Sequence, residues 1–339
     1  MRRGSILALL GIGTLAGAIA TAVAVLPRWL PQDASRERGR IDFVFWFTIV
    51  ICIVIFALVV AVLTYSILNF KAAPDDDSDG PPIHGHTGLE IVWTLIPTVL
   101  VIAIGIVSAI VLSRDDAVGK NVLHVNVTAQ QFAWSFQYPD AKNLTSGTLR
   151  LPVGRSVLLS FKALDVIHSF WVPEFGQKQD TVPGLHTQLH ITPTKTGTFD
   201  VICTELCGLG HATMRTAAIV MTPAAFDKWL KGQTKATASP NAAVSGAAVF
   251  KNQPCGSCHT LTAAGATAKV GPDLDKLPQE AQGAGKPLAA FVRESIVNPN
   301  AYVAPGFPKN VMPQTFSQLP KAQLDALVQF LVSSTRKGR

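Results

Sequence analysis

The chain has 339 residues, of which 48% are hydrophobic and only 15% charged, and its formal net charge is +7. At about 100–200 residues per domain, this length predicts two or three domains. The composition is too apolar for an ordinary soluble enzyme and indicates membrane segments. A basic chain can bind an anionic membrane surface, an acidic protein or nucleic acid. Because the sequence has no arginine-rich helix or basic–aromatic segment, we predict no nucleic-acid partner.

In the first 26 residues, Arg2 and Arg3 follow Met1, an apolar run continues from them, and the end is rich in small residues that include Ala22 and Ala24. This order, with its A-x-A pattern, predicts a signal peptide over residues 1–26. The run is also close to the roughly 20 residues that cross a bilayer. An extra transmembrane helix is therefore the alternative.

Two longer apolar stretches predict transmembrane helices over residues 41–68 and 89–113, joined by a short acidic loop. Each has more than the roughly 20 apolar residues needed to span a membrane, so two buried core helices are the weaker alternative. With a signal peptide, this hairpin places its loop inside and the rest of the chain outside. Four arginines precede the first span and oppose that orientation. We nevertheless favour it, because the chemistry of the later motifs belongs outside.

The character of the sequence changes after the second apolar stretch. Short runs of branched residues separated by turn signals predict an all-β sandwich or barrel over residues 120–231. Residues 232–242 are small and polar and predict a linker. Residues 243–336 return to helical patterns, and four apolar residues at helical spacing, from Leu324 to Leu331, predict a terminal helix.

The most informative segment of the β region contains Cys203, Cys207, His211 and Met214 within twelve residues. Thiolate, thioether and imidazole together are the ligands that copper favours in electron-transfer sites. Zinc sites more often use four Cys or His ligands and no methionine. His168 is the candidate for a second imidazole. A disulfide between the two cysteines, with a structural histidine and methionine, is the alternative.

The motif C-x-E-x-C-G-x-x-H-x-x-M, preceded by D-V-I-H-S-F-W-V-P, resembles the binuclear copper (CuA) site of cytochrome c oxidase subunit II. The resemblance covers about residues 40–230 and implies a cupredoxin-like all-β barrel. It implies the following ligands: Cys203 and Cys207 as bridging thiolates, His168 and His211 as imidazole ligands, and Met214 and the Glu205 carbonyl as weak ligands. It also implies a magnesium site at the subunit interface through the Glu205 carboxylate, although an exposed glutamate needs no ion to explain it.

A second motif, Cys255-Gly-Ser-Cys258-His259, is typical of covalent c-type haem attachment. Met312 is the only methionine that follows it, and His/Met ligation is typical of cytochromes c. Residues 243–336 therefore resemble an all-α class I cytochrome c domain. A thioredoxin-like or zinc C-x-x-C is the alternative, but the sequence lacks the βαβ unit or the second metal-binding pair that each requires.

The start of the second span, E-x-x-W-T-x-x-P from Glu90 to Pro97, resembles the subunit II pattern. The resemblance implies that Glu90 stands at the mouth of a proton channel in the catalytic subunit. A glutamate at the membrane interface is the alternative. Phe132 and Trp134 match the aromatic segment that carries electrons to the copper site. Many members have tryptophan where this chain has Phe132, which puts docking of an external cytochrome there in doubt.

Together these features predict subunit II of a haem-copper respiratory oxidase in the bacterial plasma membrane, with both C-terminal domains on the outer face. It would pass electrons from cytochrome c or a cytochrome bc complex through haem c and copper to the catalytic subunit I, beside other membrane subunits and lipid. No complete active site is expected in this chain. The alternatives are a quinol oxidase subunit, the electron-accepting subunit of a nitric oxide reductase, and a membrane-anchored periplasmic electron carrier.

Overall fold

In a computed structural model of the protein, the described residues are 3–71, 75, 80, 82, 84–117, 119, 121–238, 245–312 and 314–336. The chain divides into two compact units. The first consists of Met1–Gln32 and Gly39–Asp115, and the second of Asp33–Arg38 and Asp116–Arg339. The first unit is helical, and the second contains a β domain and a smaller helical domain.

Three helices are long and apolar enough to cross a membrane: α1 (Arg3–Val25), α2 (Arg36–Asn69) and α3 (Thr87–Asp115). Their mean hydropathy values are 2.2, 3.2 and 2.8. The predicted fold class, with two membrane helices, is therefore wrong in the number of helices. The apolar run at the N-terminus continues as a helix because the first proline, which would break it, is Pro27.

An ion pair joins the start of α2 to the end of α3. The Arg40 guanidinium lies 2.6 Å from the Asp115 carboxylate and donates to the Arg114 carbonyl at 3.0 Å. The Asp115 side chain is only 3% exposed, so water screens this pair little. The pair holds the first turns of α2 beside the last turn of α3, which is the arrangement of a helical hairpin.

Ten strands form the β domain: β1 (Leu123–Gln130), β2 (Ala133–Tyr138), β3 (Leu144–Ser146), β4 (Leu149–Pro152), β5 (Val157–Ala163), β6 (His168–Trp171), β7 (Lys178–Thr181), β8 (Thr187–Ile191), β9 (Gly197–Cys203) and β10 (Arg215–Met221). They lie in two five-stranded sheets, ordered β3-β2-β1-β5-β8 and β4-β10-β9-β6-β7. Among the described residues no ladder joins the edge strands of one sheet to those of the other. The predicted barrel is therefore corrected to two open sheets around one core.

Aromatic side chains fill the space between the two sheets. Trp134, Phe136 and Phe161 surround Phe170, with ring centroids 5.6, 6.4 and 5.3 Å from the Phe170 ring. All four are almost completely buried. Phe170 lies two residues after His168 on β6, so the packing of its ring fixes the start of this strand.

The segment Asp33–Arg38 precedes the first long helix in sequence but belongs to the β-domain unit. The Ala34 amide donates to the Glu174 carbonyl at 3.0 Å, and the Thr192 amide donates to the Glu37 carboxylate at 2.8 Å. The Arg38 guanidinium donates to the Pro173 carbonyl at 2.7 Å. The two charged side chains are 4% and 5% exposed, so they are fixed against the β domain rather than solvated.

The predicted linker over 232–242 is partly helical. Helix α4 (Pro223–Ala238) packs on the β domain through Phe226 and Trp229, whose rings lie 6.3 and 5.2 Å from Tyr138. The helix therefore continues into the predicted linker, whose remaining residues, 239–242, lie outside the described residues.

The C-terminal domain is mainly helical, as predicted. Its elements are α5 (Gly246–Asn252), β11 (Thr260–Leu261), β12 (Ala266–Thr267), α6 (Leu277–Gly283), α7 (Leu288–Val297) and α8 (Lys321–Arg336). The apolar face predicted for the last helix is buried in the core with Phe250 and Phe291. Helices α5 and α8 cross closely at Gly246, where a Cβ atom would overlap the Ala326 carbonyl and the Phe330 side chain.

We expect Gly246→Ala to destabilise this domain by about 1–3 kcal/mol, the usual cost of an extra methyl group in a packed contact. The obstructing atoms include backbone, which cannot move without separating α5 from α8. Gly283→Ala is the matched control, since its nearest neighbour would be 3.8 Å away. Thermal unfolding followed by the circular-dichroism signal of the helices measures the stability of both variants. Equal stability of the two would contradict the close crossing of α5 and α8.

Candidate metal and haem sites

The predicted copper ligands lie at one end of the second sheet. His168 begins β6, Cys203 ends β9, and these strands pair antiparallel, with Phe170 opposite Cys203. Cys207 and His211 follow in the loop that leads to β10. This arrangement brings residues separated by 35 positions into one site, because adjacent antiparallel strands place the start of one beside the end of the next.

The two thiols stand between the two imidazoles. The sulfur atoms of Cys203 and Cys207 are 3.9 Å apart. His168 Nδ1 lies 4.0 Å from the Cys203 sulfur, and His211 Nδ1 lies 3.5 Å from the Cys207 sulfur. The ligand atoms of His168, Cys203 and Cys207 all lie within 4.8 Å of one another.

The remaining two predicted ligands flank the thiols. The Met214 sulfur is 3.8 Å from the Cys207 sulfur, and the Glu205 carbonyl oxygen is 3.3 Å from the Cys203 sulfur. Met214 is completely buried, whereas the Glu205 side chain is exposed. Glu205 thus contacts the Cys203 sulfur through its backbone oxygen, whereas its side chain is exposed.

The thiols differ in their ease of ionisation. Burial raises the pKa of Cys203, but hydrogen bonds from His168 and nearby backbone outweigh it and lower that pKa. Burial and the charge of Cys203 raise the pKa of Cys207. Burial lowers the pKa of His168, but hydrogen bonds with Asp165 and Cys203 bring it to about 8. A metal that binds here must displace protons from the second thiol and this imidazole.

The donor set fits copper. Two thiols, two imidazole nitrogens and a thioether meet in a largely buried site, and this soft set suits copper rather than magnesium or calcium. The sulfur atoms of Cys203, Cys207 and Met214 belong to residues of the hydrophobic core. They lie close enough together to contact one ion.

Asp165 contacts a predicted copper ligand, and this contact was not among the predictions. Its carboxylate lies 2.8 Å from His168 Nε2 and accepts from the Gln131 amide at 2.7 Å. A hydrogen bond at Nε2 leaves Nδ1 free to face the thiols. Gln131 in turn donates through its side chain to the Cys207 carbonyl. The only sequence signal was a carboxylate three residues before a candidate ligand.

We expect Asp165→Asn to lower copper affinity by about 10–100-fold, the usual effect of losing a hydrogen bond that orients a metal-binding histidine. Copper retention against a chelator measures the change. Asp180→Asn is the control, because Asp180 is an exposed residue on neighbouring β7. Equal retention by the two variants would show that the Asp165 carboxylate does not orient the ligand.

The two predicted aromatic residues have different surroundings. Trp134 is 1% exposed, and its ring centroid lies 6.2 Å from that of His168. Phe132 is 6% exposed and packs against the ligand loop, where a Cβ atom at Gly208 would lie 3.3 Å from its ring. Gly208 has a φ of +127°, which a side chain rarely adopts, so this close contact requires glycine.

The C-x-x-C-H motif forms a tight turn after α5. The His259 amide donates to the Cys255 carbonyl at 3.0 Å. His259 Nδ1 lies 2.8 Å from the Pro272 carbonyl oxygen, which leaves Nε2 free. A Cβ atom at Gly271 would lie 2.6 Å from the His259 ring, so glycine is needed where this loop supports the histidine. Burial lowers the pKa of His259, which favours the neutral ring that ligates iron.

Met312 lines the same cleft as Cys255, Cys258 and His259. Apolar side chains such as Val303 and Phe316 complete its walls, as a haem group requires. These residues fit a covalent haem with His and Met ligands. Ala133 of the β domain also lines this cleft, next to Phe132.

Glu90 lies in the first turn of α3, where its carboxylate accepts the His86 amide at 3.1 Å. His86 Nδ1 accepts the Leu89 amide at 3.2 Å. These contacts form a cap at the N-terminus of α3. The glutamate thus has a structural role, which was not among the predictions.

Family comparisons match three consecutive parts of the chain. Residues 26–111 match the transmembrane domain of cytochrome c oxidase subunit II, and residues 145–221 match its periplasmic domain. Residues 243–335 match the cytochrome c family.

Cytochrome c oxidase subunit 2 of Synechocystis sp. is 32% identical over 272 residues, which are 64% of this chain and 82% of the relative. The same subunit of Alkalihalophilus pseudofirmus is 31% identical over 294 residues, covering 84% and 82%. Quinol oxidase subunit 2 of Bacillus cereus is 28% identical over 208 residues, covering 60% and 71%. The crystal structure of the periplasmic domain of a Bradyrhizobium japonicum oxidase subunit II is 31% identical, with a TM-score of 0.32, and covers 33% of this chain and 94% of that domain.

Proposed function

Because the chain belongs to the cytochrome c oxidase subunit 2 family, we propose that its β domain holds a binuclear copper centre and its C-terminal domain a covalent haem c. The chain is the subunit II of a haem-copper oxidase and is anchored in a membrane. When bound, the copper pair and the haem supply one-electron carriers between an external donor and the catalytic subunit.

The observation that carries the copper proposal is the 3.9 Å separation of the Cys203 and Cys207 sulfur atoms, with an imidazole nitrogen beside each. Both thiolates can therefore contact the same pair of ions. Cys203 and Cys207 would therefore hold both copper ions, and His168 and His211 would each supply an imidazole nitrogen. Met214 and the Glu205 carbonyl would complete the set as weak ligands.

In the C-terminal domain, spanning residues 243–336, Cys255 and Cys258 would hold the haem covalently. His259 and Met312 would ligate its iron. Between this cleft and the copper ligand loop stand Ala133, which lines the cleft, and Phe132, which packs on the loop. An electron that moves from the haem cleft to the copper site would cross this two-residue stretch. Trp134 packs behind His168 and holds the ligand in place.

We propose that the C-terminal domains face the outside of the plasma membrane. Asp33–Arg38 before α2 and the β domain after α3 belong to one unit, so both ends of the hairpin share one side of the membrane. Two of the four arginines that opposed this orientation have local partners: Arg38 binds the Pro173 carbonyl, and Arg40 pairs with Asp115. Arginines fixed in this way are weak signals for the cytoplasmic side.

Four further assignments rest on the family resemblance alone. Glu90 would stand at the mouth of the proton channel of the catalytic subunit, on the inner side. The exposed Glu205 carboxylate would contribute one ligand to a magnesium ion at the subunit interface. The electron donor would be cytochrome c or a cytochrome bc complex, and subunit I with the other membrane subunits would bind the hairpin.

The alternatives predict different behaviour. A quinol oxidase subunit has no use for the copper ligands, which are complete in this chain. A nitric oxide reductase would consume nitric oxide rather than oxygen. A membrane-anchored electron carrier would purify without large membrane subunits.

The full chain, tagged and purified from its native membrane in mild detergent, tests the proposal. We expect co-purified membrane subunits, one covalent haem c and a paramagnetic resonance signal from one electron shared by two coppers. We also expect oxygen consumption with reduced cytochrome c. Purification of the chain alone, or consumption of nitric oxide only, would contradict the oxidase assignment.

A further inference from the structure

Helix α1 has two unlike faces. Leu7, Leu10 and Leu15 are 69%, 61% and 64% exposed, as expected for side chains that contact lipid. Gly13 and Gly17, spaced one helical turn apart, lie on the face that contacts α2. Small residues at this spacing let the backbones of two membrane helices approach closely.

The face of α2 that meets these glycines is also made of small residues at the same spacing. A Cβ atom at Gly13 would lie 3.4 Å from the Ala61 Cβ, and one at Gly17 would lie 3.5 Å from the Ala57 Cβ. Ala61 is 4% exposed. By contrast, a Cβ atom at Gly4 or Gly11 would meet nothing within 4 Å. Gly13 and Gly17 therefore contact α2, whereas Gly4 and Gly11 do not.

A polar contact extends this interface toward the N-terminus of α1. The Tyr65 hydroxyl donates to the Ser5 hydroxyl at 2.8 Å. From Ser5 to Gly17 the contact surface covers about 18 Å of helix, at a rise of roughly 1.5 Å per residue. In the hydrocarbon core of a membrane, this hydrogen bond favours association of α1 with α2, because water is not there to bind the hydroxyl groups when they are separated.

We propose that residues 3–25 remain attached in the mature protein as a third membrane helix, bound to α2 through Gly13 and Gly17. A removed leader has no need for a complementary surface on the segment that follows it, whereas here both helices carry matching small residues. The α1-binding face of α2, around Ala57 and Ala61, is then closed to the other oxidase subunits, which must bind the hairpin through its remaining faces.

The mass of the chain in the purified oxidase is the first test. We expect a chain that retains residues 3–25, and a chain that begins near Val25 would overturn the proposal. This outcome is independent of the metal and haem content, so it does not depend on the proposed function.

Disulfide trapping is the second test. A protease site is inserted between residues 27 and 32 in a Cys52→Ser background, and Gly17→Cys is combined with Ala57→Cys. The Cβ separation of 3.5 Å lies in the range that a disulfide accepts, about 3.5–4.5 Å. After oxidation in membranes and proteolysis, we expect the two fragments to remain joined until reduction. The control pair is Gly11→Cys with Ala57→Cys, and equal trapping of the two pairs would overturn the interface.

Discussion

Replacement of Cys207 by serine is expected to abolish the copper centre and to lower oxygen consumption by at least about 100-fold, which is roughly 2.7 kcal/mol in the barrier. The Cys207 sulfur lies within 4 Å of three other predicted donors, those of Cys203, His211 and Met214. Its loss would remove the thiol that lies closest to the other three donors, so these donors would no longer hold copper together. Copper content and the paramagnetic resonance signal measure the first effect, and an oxygen electrode measures the second.

Cys52→Ser is the control for this variant. Cys52 is an exposed thiol in α2 and lies outside the β domain, so its replacement should leave copper content and activity unchanged. The haem content of the Cys207 variant should also remain at one per chain. A Cys207→Ser protein that keeps both coppers and the shared-electron signal would show that the thiolates do not bridge.

Replacement of both Cys255 and Cys258 by serine is expected to remove the covalent haem while the copper centre remains. The predicted copper ligands all lie between His168 and Met214, so their strands do not depend on the haem cysteines. Oxygen consumption with an external cytochrome should fall by at least about 10-fold, roughly 1.4 kcal/mol, because the donor must then reach the copper centre directly.

A haem stain of the denatured chain and the copper signal of the native complex separate the two outcomes. Loss of copper along with the haem would contradict the independence of the two sites. Undiminished activity would show that electrons from the donor do not pass through the C-terminal domain. The same Cys52→Ser protein serves as the reference for thiol replacement.

The proximity of most of the predicted copper ligands could be expected from sequence because they lie within twelve residues, from Cys203 at the end of β9 to Met214. The haem turn was predictable for the same reason. His168 could be named from its flanking residues, although only the pairing of β6 with β9 places it beside Cys203.

Contacts between distant segments could not be predicted from sequence. The position of Asp165 three residues before His168 is a weak signal, because the contact of its carboxylate with His168 Nε2 depends on the path of the loop before β6. The predicted barrel failed because alternation of apolar residues identifies strands but not whether the edge strands of two sheets meet. The N-terminal run is compatible with both a leader and a retained membrane helix, and our proposal of a retained helix rests on its contacts with Ala57 and Ala61.

The attachment of Asp33–Arg38 to the β domain affects the order in which the protein can be made. Ser35 donates to the carbonyl of Phe175, which follows it by 140 residues. At about 5–20 residues per second, the ribosome needs roughly 7–28 seconds to supply that partner. Throughout this interval the segment lacks its partners in the β domain, while α2 and α3 insert. Closure of the β domain is therefore a late event of biosynthesis, and it takes place only after both ends of the hairpin have reached the same side of the membrane.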